Sequence, residues 1–501
     1  MDFGLLAKGF GSVFTFDVMF MIFLGNVAGI TIGALPGLTA TMGVALLVPF
    51  TFGLPIITSL SMLMGIYTGA MYGGSISAIL IRTPGTPSAA ATVLEGYPLG
   101  QKGEAGRALA MSLFSSFTGG LMGVAIMTFL SPQVSKMALK FGTAEYFSLA
   151  IFGLSVIVSI SGGSITKGLM SGLFGLTIAT IGFDPISGFP RFTLGFTELL
   201  EGPPFIPTLI GLFAFAEVLK NIEDLGITQK IKCKIKWPFP SKEDLKVSWK
   251  ELIKSGLIGT FIGAIPGAGG DIASFVAYGE AKRASKYPEK YGTGVIEALG
   301  AVESANNACQ GGAMIPLLSL GVPGDAVTAV LLGAFIIQGL QPGPLLYKDH
   351  MDIVYAIFAS MIVAQFVMLF VGALGINLFN KIIEIEKKVL IPAICIFSLV
   401  GSYAMRNNIF DVYLTIVFGV IGYFMQRYGF PLSPILLALI LGPMAESNLR
   451  RTMVIFDGNP LVFLTRPISL ILLVLAVVSL VISVLNQRKI ERRLAEQDLS
   501  Q

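Results

Sequence analysis

Long apolar runs separated by short polar breaks recur along the chain from about residue 14 to residue 485. They fall at 14–32, 108–130, 146–160, 168–182, 206–219, 257–265, 354–378, 389–404, 412–424, 434–442 and 467–485. The runs are continuous, which predicts membrane helices and argues against the alternating strands of about ten residues that build membrane barrels. Several are shorter than the roughly 20 residues a straight crossing needs. Others are interrupted by Gly and Pro. The pattern predicts an all-α polytopic membrane protein with roughly 10 to 14 membrane segments, re-entrant pieces included.

The largest polar interruption runs over 220–254 and holds nine Lys against five acids. The excess of lysine places it in the cytoplasm by the positive-inside rule; the alternative is a solvated loop on either side. The basic tail, with Arg488, Lys489, Arg492 and Arg493, reads the same way. The expected organisation is a first transmembrane repeat over 1–219, the linker 220–254, a second repeat over 255–486 and a cytoplasmic tail over 487–501. The start of the chain lacks a basic stretch followed by a small-residue cleavage site, so the first apolar run is expected to stay as a helix.

Composition narrows the function. With 54% hydrophobic and only 13% charged residues, 501 residues cannot clothe a soluble globule of this size. One histidine, His350, leaves little for imidazole catalysis, and it is expected in a loop. Cys233, Cys309 and Cys395 are too scattered for a metal site or a disulfide framework. There is no phosphate-binding Gly-Lys loop, and a net charge of +4 without a basic cluster gives no nucleic-acid surface.

The 59 Gly and 26 Pro are patterned. Gly29, Gly33, Ala34, Pro36 and Gly37 match Gly259, Gly263, Ala264, Pro266 and Gly267 at one offset, 230 residues (259 minus 29). Gly73-Gly74 then reads against Gly311-Gly312, and Pro84-Gly85 against Pro323-Gly324 with one residue inserted. Duplicated halves with Gly/Pro-interrupted apolar segments point to a secondary transporter, and inversion of the copies is the expectation.

Helix breaks in a bilayer survive only where protein, water or a ligand satisfies the freed backbone groups. Helix N-termini at a break attract anions, and exposed carbonyls and hydroxyls hold Na⁺. Four segments have this character: 33–41, 75–88, 263–274 and 303–325. They supply the candidate substrate and ion residues Pro36, Gly37, Thr39, Thr41, Ser75, Ser77, Arg82, Thr83, Pro84, Gly85, Thr86, Pro266, Gly267, Gly269, Asp271, Ser274, Asn306, Asn307, Pro323, Gly324 and Asp325. The competing reading is a set of kinks for close helix packing. Thr39 and Thr41 either line a site or bond back into their helix. Asp271 and Asp325 either ligate a cation or cap the next helix. Arg82 either pairs a carboxylate or snorkels to the interface. At least one of Asn306 and Asn307 is expected to face a polar cavity.

The blocks Gly33-Ala-Leu-Pro-Gly37, Tyr72-Gly-Gly-Ser-Ile-Ser77, Thr83-Pro-Gly-Thr-Pro87, Glu95-Gly-Tyr-Pro98, Gly263-Ala-Ile-Pro-Gly267 and Gly321-Val-Pro-Gly324 resemble, in order and spacing, the large membrane subunit of tripartite tricarboxylate transporters, the TctA family. The resemblance runs to about residue 450. It implies a permease of the bacterial cytoplasmic membrane that imports carboxylates, citrate or other di- and tricarboxylates, by alternating access. It implies Na⁺ as coupling ion, no resident cofactor, a periplasmic or extracellular solute-binding protein, and a small partner subunit with about four transmembrane helices. Arg82 departs from the uncharged residue, typically Asn, of the family. Two other readings compete: an intramembrane aspartyl enzyme built on Asp271 and Asp325, and a stand-alone channel or exchanger.

Overall fold

The computed structural model describes residues 2–160, 164–223, 238–382 and 387–498. Much of the Lys-rich linker, with Lys230, Lys232, Lys234, Lys236 and Cys233, lies outside the described residues, as do the last three residues of the basic tail.

The first half begins with α1 (Phe3–Val13), α2 (Phe16–Ala34), α3 (Ala40–Leu47), α4 (Ile56–Ile81), α5 (Thr92–Leu99) and α6 (Ala105–Ala138). Next come α7 (Thr143–Ile160), α8 (Ile165–Ala179), α9 (Phe205–Leu209), a π-helical turn over Ile210–Phe215, and α10 (Ala216–Glu223). The second half opens with α11 (Lys242–Gly263), α12 (Gly269–Ala284), α13 (Ile296–Leu320), α14 (Ala326–Ile337), α15 (Pro344–Asp349) and α16 (Met351–Ile382). It closes with α17 (Lys387–Arg406), α18 (Ile409–Arg427), α19 (Ser433–Ile455), α20 (Val462–Thr465) and α21 (Pro467–Asp498). The fold is helical as expected, with one two-residue antiparallel hairpin, β1 (Gly182–Phe183) and β2 (Pro190–Arg191). Among the described residues, eight helices are long and apolar enough to cross a membrane, and four shorter apolar helices accompany them. The chain is a multi-pass membrane protein.

The polarity is inverted relative to a soluble globule. Phe366, Phe370, Leu374 and Leu378 form an exposed apolar stripe along α16, at the spacing of one helical face. The interior holds Ser75, Ser77, Glu303, Ser304, Asn306, Asn307 and Gln310, all fully buried. These residues sit on α4 and α13, two helices buried along nearly their whole length. Neither helix stood among the expected apolar runs; α4 is nonetheless apolar enough to cross a membrane, whereas the small and polar residues of α13 lower its hydropathy. Those residues are what lets neighbouring helices approach.

The approach is set by backbone contacts. A methyl group added at Gly29 would lie 2.4 Å from the carbonyl of Ile66, and one at Gly33 2.3 Å from that of Ala70. On the other side of the same α2–α4 contact, Gly73 faces the carbonyl of Ile30 at 2.5 Å. The α11–α13 pair has the same three contacts: Gly259 to Ala305 at 2.2 Å, Gly263 to Cys309 at 2.4 Å, and Gly312 to Thr260 at 2.2 Å. Gly85 packs on the carbonyl of Gly33, and Gly324 on that of Gly263. Gly312 therefore takes the place that Gly73 takes, and the register expected from the sequence shifts by one residue with no insertion. Gly311 packs instead on Gly123 of α6.

Candidate functional site

Four breaks separate these helices. They fall at 35–39 between α2 and α3, 82–86 after α4, 264–268 between α11 and α12, and 321–325 between α13 and α14. At the first and third, Gly37 (φ 88°) and Gly267 (φ 84°) follow Pro36 and Pro266 in the left-handed region, which only Gly enters without strain. At the second and fourth, the left-handed residues are Arg82 (φ 59°) and Gly321 (φ 72°), each the C-cap of its helix. Pro84-Gly85 and Pro323-Gly324 follow them.

The breaks meet at one cavity of about 180 Å³. Thr39, Ala40 and Thr41 reach it from the start of α3, and Thr86, Pro87 and Ser88 from the short turn before α5. Gly267 reaches it from the third break, Gly269, Gly270 and Asp271 from the start of α12, and Asp325, Ala326 and Val327 from the cap and first turn of α14. Met71 of α4, Phe213 of the π-helical turn, and Ser433 and Leu437 at the start of α19 complete the wall. Among the described residues, no Lys, Arg or His lines it.

The helix starts are treated unequally. Thr39 caps α3, its hydroxyl accepting from the backbone N–H of Met42 at 3.1 Å. Asp325 caps α14, with one carboxylate oxygen accepting from Thr328 N at 2.7 Å and the other from the Tyr67 hydroxyl at 2.6 Å. The cap residue of α12 makes no side-chain hydrogen bond; the Asp271 carboxylate lies against the N–H groups of Asp271 and Ile272, and those of Gly269 and Gly270 have no partner within the helix. Asp271 sits in the first turn of α12 rather than at its cap and is exposed. Asn306, fully buried on α13, donates to the carbonyl of Met71 at 3.3 Å. Its Oδ1 accepts from nothing and lies against Gly270 of this uncapped start. The site thus combines free N–H groups, hydroxyls, one exposed carboxylate and an orphaned amide oxygen. N–H groups and hydroxyls suit an anion; carboxylate, amide and hydroxyl oxygens suit a hard cation.

Other candidates stand away from this cavity. Ser75 and Ser77 lie within unbroken α4, where Ser75 donates to the carbonyl of Tyr72 at 2.8 Å and accepts from Ser112 at 2.6 Å, and Ser77 donates to that of Gly74. Ser274 bonds back to the carbonyl of Gly270 at 2.6 Å. Asn307 is tied to the Glu303 carbonyl and to Gln310. Pro36, Pro84, Pro266 and Pro323 shape the breaks, Gly85 and Gly324 pack under them, and Thr83 bonds to the carbonyl of Ile81. Gly37 lies beside Asn221. Arg82 is exposed and turned outward, with its guanidinium 5.7 Å from the centre of the Tyr97 ring. It is not a buried cation facing the site. Tyr67, Met71, Ser88, Phe213 and Ser433 were not anticipated. Only Ser433, which precedes Pro434, carried a helix-start signal.

A family model described as the tripartite tricarboxylate transporter TctA family matches residues 19–437. In Agrobacterium vitis, an uncharacterised 52.8 kDa protein of the TAR-I ttuC′ 3′ region is 39% identical over 487 residues, 97% of each chain. An uncharacterised protein of the TAR-II ttuC′ 3′ region of the same organism is 40% identical over 234 residues, 47% of this chain and 97% of its own length. No solved structure matches the chain.

Proposed function

This chain belongs to the TctA family of tripartite tricarboxylate transporters, a family of transporter subunits and not of enzymes, and on that premise we propose that it is a permease importing di- or tricarboxylates by alternating access. It is a component of a tripartite system. In our reading its partners are a small membrane subunit of about four helices and a solute-binding protein outside the bacterial cytoplasmic membrane.

The observation that carries the reading is the meeting of helix starts from both halves at one cavity lined by hydroxyl side chains and, among the described residues, by no basic one. Carboxylate oxygens would meet the free N–H groups at the start of α12 and the hydroxyls of Thr86 and Ser88. Na⁺, the coupling ion in this reading, would take the Asp271 carboxylate, the unpaired Oδ1 of Asn306 and nearby carbonyls. The cation offsets repulsion between Asp271 and the substrate, so neither binds well alone. Each thereby raises the affinity of the other.

We further read the halves 1–219 and 255–486 as inverted copies, with the linker 220–254 and the tail 487–501 in the cytoplasm. The matched contacts of the α2–α4 and α11–α13 pairs support the duplication. Inversion would put the shared cavity on the pseudo-symmetry axis, where one site faces each side in turn.

Uptake of radiolabelled citrate and other carboxylates, with the partner proteins present, tests the assignment. Thr39→Ala, Thr86→Ala and Asn306→Ala are expected to lower it; wild-type rates in all three remove the site. Uptake that needs neither the binding protein nor a Na⁺ gradient would favour a stand-alone channel or exchanger.

A further inference from the structure

Glu303 lies outside the cavity described above. It is fully buried in the middle of α13, and among the described residues no ion pair includes it. Its carboxyl oxygens are held by hydroxyls alone. Thr92, the first residue of α5, bonds to Oε1, and Ser116 of α6 donates to Oε2 at 3.0 Å. Ser112 of α6 lies beside them and hands its own hydrogen to Ser75 of α4 at 2.6 Å.

Tyr72 of α4, fully buried, brings a hydroxyl with no partner within electrostatic reach of Glu303. Among the described residues it is the one titratable group shown to act with Glu303. Among the described residues, no charged side chain acts on Glu303 from α4, α5, α6, α11, α12 or α13 itself. A carboxylate enclosed in this way, with no counter-charge, is strongly disfavoured in a membrane interior. The neutral acid suits the same hydroxyls, with its O–H shared with Thr92.

The Thr92 contact matters because of where Thr92 stands. It follows the second break and the cavity-lining turn over Thr86–Ser88 by a few residues, whereas Glu303 is one turn from Asn306 on the opposite half. The Glu303–Thr92 contact therefore spans the two halves next to the site.

Resting on the transporter reading above, we propose that Glu303 is a proton-binding site of the transport cycle, in addition to the cation site. It holds one proton while the start of α5 is docked on α13 and releases it when the two part and water enters. The step forms and breaks one carboxyl O–H bond. Water is both source and acceptor of the proton, and no electrons move.

Two measurements test it. In infrared spectra of the purified chain, without substrate, the wild type at neutral pH should show a protonated-carboxyl C=O band that Glu303→Gln loses and Glu303→Asp shifts. Spectra in which Glu303→Gln loses only a carboxylate band overturn the proposal, whether or not the carboxylate reading holds. In proteoliposomes carrying the full complex, wild-type uptake should vary with pH. Glu303→Gln should lose that variation, and Glu303→Asp should restore it with a shifted profile. Wild-type pH dependence retained in Glu303→Gln also overturns it.

Discussion

Glu95 offers a quantitative test of how the halves are joined. It is fully buried on α5 and reaches into the loop before α13. One carboxylate oxygen accepts from the Tyr278 hydroxyl at 2.9 Å and from Gly292 N at 2.6 Å. The other accepts from Gly294 N and Val295 N, both at 2.7 Å. Gly292 and Gly294 have φ of 96° and 97°, which turns successive N–H groups toward one anion. Glu95→Gln keeps the shape but replaces one acceptor by an NH₂ group. Placed toward Tyr278, whose hydroxyl can rotate to accept, the amide still strands Gly292 N–H; placed the other way, it strands two N–H groups. Each stranded buried donor costs about 1–3 kcal/mol, and the surviving bonds lose their charge assistance. The expected destabilisation is about 2–5 kcal/mol, read by SDS-titration unfolding in mixed micelles. Tyr278→Phe should cost about 1 kcal/mol alone and less in the Glu95→Gln background, because the two share a bond. A Glu95→Gln protein within about 0.5 kcal/mol of wild type, or strict additivity of the pair, would refute the clamp.

Four further outcomes are expected. Gly259→Ala drives a methyl against the carbonyl of Ala305 and should destabilise by about 1–3 kcal/mol; Gly279→Ala, with open space around it, should stabilise α12 by up to about 1 kcal/mol in the same unfolding assay. Gly321→Ala should cost about 1–2 kcal/mol in backbone strain, with added crowding against the carbonyl of Pro342. In the hairpin loop, backbone N–H groups of Ser187 and Ile186, with Arg450 adding to them, hold the Asp184 carboxyl down at about 2. Its folded value lies below its unfolded value of about 3.9, so its contribution is complete above pH ~4 and is lost as pH falls toward 2. The melting-temperature gap between wild type and Asp184→Asn should close over that window; a constant gap would contradict the assignment.

The breaks at Pro36, Pro84, Pro266 and Pro323 were legible because Pro-Gly leaves a plain mark in an apolar run. The meeting of Thr39, Thr86, Asp271 and Asp325 at one cavity follows from that pattern once the halves pack. The central helices were harder to see. α4 is apolar enough to read as a span although it faces only protein, whereas Glu303, Asn306, Asn307 and Gln310 lower the hydropathy of α13. The Ser, Asn and Gln residues of both, including Ser75, Ser77 and Asn307, mimic break segments although their helices run on unbroken. Adjacent glycines hid the register, since Gly311 and Gly312 match Gly73 equally well as letters and only the contact with Thr260 separates them. Arg82 misled for a similar reason: its apolar neighbours suggested burial, but its backbone turn throws the side chain outward. Phe213 belongs to a π-helical turn, which no local residue pattern announces.

The left-handed backbone of Arg82 makes the breaks that end α4 and α13 mechanically unequal. Arg82 holds a conformation that costs an L-residue about 1–2 kcal/mol, and its contact with Tyr97 returns about 0.5–1 kcal/mol. Gly321 at the corresponding place has no such cost. The second break is thus a loaded spring and the fourth a slack one. In any cycle that releases both, this imbalance alone would favour release of the second break over the fourth by a few-fold.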